Sequence, residues 1–87
     1  MATYKVHWKA SATRDIRRID RQAIPRVVNA VNALAEDPFP PGVRKMQCEE
    51  HAYRIRVGDY LVVYHVFTAY LEIDVIRVRH RREAYRP

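Results

Sequence analysis

The stretch Tyr53–Val66, YRIRVGDYLVVYHV, constrains the fold of this 87-residue chain more than any other. Tyr53, Ile55 and Val57 alternate with Arg54 and Arg56, the two-residue period of a strand with one wet face. Gly58-Asp59 then supplies a two-residue hairpin turn, because glycine takes a positive φ at no steric cost. Tyr60–Phe67 continues as an apolar run, as expected of a strand covered on both faces. An antiparallel hairpin is therefore predicted, with two arginines roughly 6–7 Å apart on one side of its first strand. Those arginines either keep the strand soluble or hold an anion.

The remaining elements follow from their periods. Tyr4, Val6 and Trp8 alternate with Lys5, His7 and Lys9, which predicts a first strand. Ser11 or Thr13 can cap a short helix carrying Ala12, Ile16 and Ile19. Ile24, Val27, Val28, Val31, Leu34 and Ala35 make one face of a second helix, with Pro25 in its first turn and Pro38 closing it. Asp37–His51, with three prolines and no periodicity, reads as a long loop. Leu71–Val78 reads as a last strand, and Arg79–Pro87 as a short basic C-terminal tail. The expected fold is α+β in the order β-α-α-β-β-β, a helical hairpin packed on a mainly antiparallel four-stranded sheet, with residues 1–87 forming a single domain.

Composition limits what this scaffold can serve. With 48% apolar residues and two glycines, the chain is globular rather than a disordered tail. The single Cys48 closes no internal disulfide, which fits a reducing cytosol, and no apolar run reaches the roughly 18 residues of a membrane span. A soluble, cytoplasmic protein is expected. The formal charge is +6, and of the sixteen basic residues only Lys5, Lys9 and Lys45 are lysines. Arginine grips phosphate or carboxylate through two hydrogen bonds, so anionic partners are expected, either nucleic acid or an acidic protein. No glycine-rich phosphate loop, metal-ligand spacing or nucleophile elbow occurs, so no cofactor or metal is expected.

The order of elements, together with YRIRVGDYLVVYHV and the closing VIRVRHRREAY, resembles the RelE/ParE superfamily of toxins from bacterial and archaeal toxin–antitoxin modules. It covers essentially the whole chain. YRIRVGDY and HRREAY carry the pattern of the RelE-like branch, whereas the N-terminal helices match in pattern only. The resemblance implies a ribosome-dependent endoribonuclease that cuts mRNA in the ribosomal A site. ParE-like members share the fold and poison DNA gyrase. The resemblance also implies a toxin–antitoxin hetero-oligomer, in which an acidic, partly disordered, RelB-like antitoxin wraps the helices and sheet.

Metal-free cleavage by 2′-hydroxyl attack must remove one proton, supply another and neutralise charge on the phosphorane. By resemblance, Arg54 and Arg56 bind the scissile phosphate, Arg81 stabilises charge or protonates the leaving group, and Tyr85 stacks on or orients a base. Arg44, Lys45, Arg77, Arg79 and Arg82 are the further RNA contacts expected. Two positions depart from the family pattern. Leu61 stands where G-D-Y-R has arginine, and Arg79 replaces the glycine of V-G-H-R, which either brings a substituting guanidinium or stiffens the turn. Arginine accepts no proton, so His80 is the expected base, with Glu49, Glu50 and His51 as further candidates. Leu61 favours the alternative, a non-nucleolytic gyrase poison or a weakened, antitoxin-binding toxin. The ribonuclease reading requires these guanidiniums to converge on one concave surface.

Overall fold

The computed structural model describes residues 3–47 and 49–84. The elements are β1 (Lys5–Trp8), α1 (Ala10–Ile16), α2 (Ile24–Ala33), β2 (Arg44–Lys45), β3 (Ala52–Val57), β4 (Tyr60–Phe67), β5 (Glu72–His80) and α3 (Arg81–Ala84). They form one sheet in the order β1-β5-β4-β3-β2, with β1 parallel to β5 and the other pairs antiparallel. The α+β class is as expected, but the strands number five rather than four. Arg44 and Lys45, expected in a loop, pair with Arg54 and Tyr53, and a two-residue strand is too short to show a period. The first residues of the expected tail, 79–84, have regular structure. β5 runs through His80 and α3 follows it; Tyr85 lies outside the described residues.

Alternation along the strands divides the sheet into two faces. Ile55, Val57, Val62, Tyr64, Val66, Ile73, Val75 and Val78 pack in one cluster with Ala12 of α1, Val27 and Val31 of α2, and Leu34 at the α2 C-cap. Burying one such side chain contributes about 1.5–3 kcal/mol. The opposite face carries Arg54, Arg56, Leu61, Val63 and His65, so the helices cover β4 on one side and not on both. Tyr64 is fully buried, and its hydroxyl donates to the Pro38 carbonyl at 2.7 Å. Burial first, then the Asp37 carboxylate and Tyr53, push this phenol well above its ordinary range, which keeps it a neutral donor. It tethers the segment after α2 to the core.

At the hairpin, Gly58 has φ +59°, as the first position of a type II′ turn requires. Pro25 sits in the first turn of α2 as expected, but both helices are shorter than their apolar stripes. α1 ends at Ile16 and α2 at Ala33, each continued by turn residues. Ser11 and Thr13 lie inside α1 rather than capping it, and the N-cap is Lys9.

The hydroxyl of Ser11 has a different use. β1 pairs with β5 only as far as Val75, which leaves the next turn of the β5 edge without a strand. Ser11 Oγ donates to the Ile76 carbonyl at 2.6 Å, and the Val78 amide donates to Asp15 Oδ2 at 2.9 Å. Positions four apart lie on one helix face, so α1 offers a donor and an acceptor where a strand would. Among the described residues Asp15 is the buried charged one, and Arg77 Nη2 donates to its Oδ1 at 3.3 Å. Arg77 Nε lies 2.9 Å from Oδ2 without a hydrogen-bonding angle, so that contact is electrostatic.

Two stability predictions follow from these contacts. Asp15→Ala strands a buried amide and the paired guanidinium and should cost about 3 kcal/mol, read as a lower urea midpoint at constant slope. Tyr64→Phe should cost about 1 kcal/mol by leaving the Pro38 carbonyl unpaired, with faster amide exchange confined to residues 36–43.

Candidate functional site

Strand register sets the helix-free face out in rows. Arg44, Arg54, Val63 and Arg77 stand opposite one another across β2, β3, β4 and β5. Arg56, Leu61 and Arg79 form the row nearer the hairpin turn, and Ala52, His65 and Asp74 the row on the other side. Neighbouring strands are about 4.8 Å apart and successive rows roughly 6–7 Å. A bulge sharpens the arrangement. Val63 pairs with Arg77 and Tyr64 with Val75, which leaves Ile76 as the extra residue, and a bulge of this kind re-aims its side chains.

A depression of about 360 Å³ opens on this face, with Leu61, Val63 and Ile76 as its apolar part and Arg54, Arg77 and Arg79 as its cations. Arg44, Lys45 and Arg54 line an adjoining hollow. Like charges directly opposite on adjacent strands repel, and Arg44 and Arg54 are such a pair. Among the described residues, no carboxylate forms an ion pair with Arg44, Arg54, Arg56 or Arg79. Cations massed this way, over a partly apolar floor, suit an anion that also presents an apolar surface.

The expected site residues are distributed as follows. Arg54, Arg77 and Arg79 share one cavity. Arg56 projects from the same face, but its Nε donates to the Gly58 carbonyl at 3.1 Å, which draws it toward the turn. Lys45 Nζ donates to the carbonyls of Glu49 and Glu50 at 3.1 and 2.6 Å and lies 5.3 Å from the Tyr53 ring centre. It braces the loop ahead of β3. His80 belongs to the helix-side face, because Arg79 precedes it in the same strand. Its ring meets Tyr60 edge-on at 5.4 Å, and its Nδ1 accepts from the Arg82 amide at 3.2 Å. Arg81 and Arg82 are exposed beside Asp59 and His80 in a separate hollow at the hairpin end, where the Arg81 amide donates to the Asp59 carbonyl. Glu50 and His51 are exposed, and the His51 ring packs against Phe67.

Two groups carry no local signal in the sequence. Asp15 is one polar residue in a helix, with nothing near it in sequence to tie it to Arg77. His65 sits within an apolar run, although it is the one imidazole in that strand. It lines the cavity together with Glu49, and its Nε2 lies 2.7 Å from Glu49 Oε2.

The chain is similar to a chain of the RelBE2 toxin–antitoxin complex from Mycobacterium tuberculosis, with a TM-score of 0.81 and 24% identity over 93% of this chain and 94% of the other. It is similar to a chain of the archaeal RelE–RelB complex from Pyrococcus horikoshii, with a TM-score of 0.80 and 24% identity over 91% and 96%. The isolated RelE toxin of E. coli gives a TM-score of 0.75 and 19% identity over 93% and 94%. No curated protein matches the sequence significantly. The family model described as the ParE toxin of the type II toxin–antitoxin system, parDE, matches residues 6–85. With nearly its whole length inside that match, the chain belongs to the ParE toxin family of type II toxin–antitoxin systems, within the RelE/ParE superfamily.

Proposed function

We propose that this toxin is a ribosome-dependent mRNA endonuclease of the cytoplasm, cutting by attack of a ribose 2′-hydroxyl on the adjacent phosphate. The observation that carries this reading is the register of Leu61 against Arg79. Leu61 occupies the position where the superfamily pattern has arginine, and Arg79 the position where it has glycine. These two are direct cross-strand partners, whose side chains approach within about 5 Å at Cβ. A guanidinium has thus moved one strand over and still reaches the same cavity as Arg54. Arg54 and Arg79 hold the scissile phosphate, Arg44 and Arg77 extend the anionic track, and Arg56, Arg81 and Arg82 make outer contacts to RNA. Phosphate contacts of this sort position the substrate, and selection of the cut rests on the A-site codon.

The partner that restrains the toxin is an antitoxin, since chains of similar fold occur in RelE–RelB toxin–antitoxin complexes, and the +6 charge of this chain suits an acidic one. It has surface to cover. β2 pairs with only Arg54 and Tyr53 of β3, and beyond them a cleft of about 380 Å³ runs between Ala30 and Leu34, Pro40 and Pro41, and Ile55 and Val57. An acidic, partly disordered segment would bury these apolar groups while its carboxylates meet the arginines.

A second reading, a non-nucleolytic gyrase poison, is favoured by the apolar floor at Leu61 and by the separation of Arg81 from Arg54. One experiment divides the two. Purified toxin added to ribosomes paused on a defined mRNA should cut in the A site, and Arg79→Gly or Arg54→Ala should slow cutting by about 100- to 1,000-fold. Leu61→Arg should restore cutting to the Arg79→Gly protein and add little to the natural one. Intact mRNA together with inhibited DNA supercoiling would replace this reading with the second.

A further inference from the structure

The cations of the open-face cavity leave one task unfilled, the removal of the 2′-hydroxyl proton. Arginine stays protonated at any accessible pH. His80 lies on the helix side, in a second cavity that Arg77 and Arg79 also line but Arg54 does not, and its Nδ1 already accepts from the Arg82 amide. Asp74, across from His65, is 3.6 Å from Lys9 Nζ. His65 and Glu49 remain in the cavity, in contact with each other, and His65 stands on the sheet itself one row from Arg54 and Arg77.

We propose that His65, oriented by Glu49, accepts the proton of the attacking 2′-hydroxyl, an assignment that rests on the ribonuclease reading. An ionised carboxylate only accepts hydrogen bonds, so the 2.7 Å contact to Glu49 Oε2 places the ring proton on His65 Nε2. The lone pair then lies on Nδ1, which receives no donor among the described residues. This is the division of labour of a carboxylate–imidazole pair, in which one nitrogen is held and the other works.

Glu49 is not placed by chance. Lys45 Nζ bonds the carbonyls of Glu49 and Glu50, and the Ala52 amide donates to the Glu49 carbonyl at 3.4 Å. Pairing of β2 with β3 thereby sets the loop that carries the carboxylate. The ring itself is steadied by the edge of Phe67, 6.0 Å away.

In the reaction, the 2′-hydroxyl proton passes to Nδ1 while the 2′-oxygen forms a bond to phosphorus. The bond from phosphorus to the 5′-oxygen breaks, and that oxygen takes a proton from a solvent water. The imidazolium then neutralises the hydroxide left behind. The products are a 2′,3′-cyclic phosphate and a 5′-hydroxyl, with no change in oxidation state. The phosphate held at Arg54 lies within reach of His65, because the two line one cavity from adjacent same-face rows, roughly 6–7 Å apart.

The test is single-turnover cleavage of A-site mRNA on programmed ribosomes, with antitoxin binding as the control for folding. His65→Ala should lower the rate by about 100- to 10,000-fold, and free imidazole should restore part of it, which a purely structural role would not allow. Glu49→Gln, on an exposed loop residue, should slow cleavage while leaving ribosome binding unchanged. It also keeps the assignment testable if His65→Ala fails to fold. A natural protein that cuts, with His65→Ala or Glu49→Gln cutting at the natural rate, would overturn this assignment and leave the ribonuclease reading standing. A natural protein that leaves mRNA intact, where another RelE-like toxin cuts, would overturn both.

Discussion

Between Val75 and the end of β5 the sheet has an edge with no strand beside it, and α1 supplies the missing hydrogen bonds. Ser11 meets the Ile76 carbonyl and Asp15 meets the Val78 amide. An unpaired polar group buried at that edge would cost free energy comparable to a lost hydrogen bond, so the contact fixes where α1 can lie. Asp15 in turn draws Arg77 toward the edge. One carboxylate therefore joins the helical layer, the last strand and a cation of the open face. The position of Arg77 follows from the same packing that closes the core.

The open face is built against electrostatic comfort. Arg44 stands opposite Arg54, and no carboxylate among the described residues pairs with Arg54, Arg56 or Arg79. A folded protein tolerates such repulsion when the rest of the core holds the strands in register, as the cluster around Tyr64, Val62 and Ile73 does here. Binding an anion would relieve it. Stability and recognition are thus coupled with opposite signs at these positions, a common condition of sites that meet charged partners.

The loop between α2 and β3 has two anchors and two consequences. Tyr64 holds Pro38 near its start, and Lys45 holds Glu49 and Glu50 near its end. Its first half borders the apolar cleft proposed for the antitoxin, and its second half carries Glu49 to His65. A segment that reads as structureless in sequence is therefore fixed by side-chain contacts to the core and to its own backbone. Its proline content alone does not place it.

Local period determined much of this protein. The hairpin at Gly58-Asp59, the shared direction of Arg54 and Arg56, the two helical stripes and the arginine-rich charge are properties of near neighbours, and near neighbours are what a sequence displays. Tertiary pairing decided the rest. Arg79 faces Leu61, Arg44 faces Arg54, and Asp15 reaches β5 because residues tens of positions apart were set in one register. His80 lies on the helix side because β5 extends two residues beyond its expected end at Val78, and adjacent residues of a strand point to opposite faces. His65 meets Glu49 only after β2 has paired and drawn the loop across. The sequence carries the chemistry of each side chain; which of them share a cavity depends on strand register, which only the folded sheet sets.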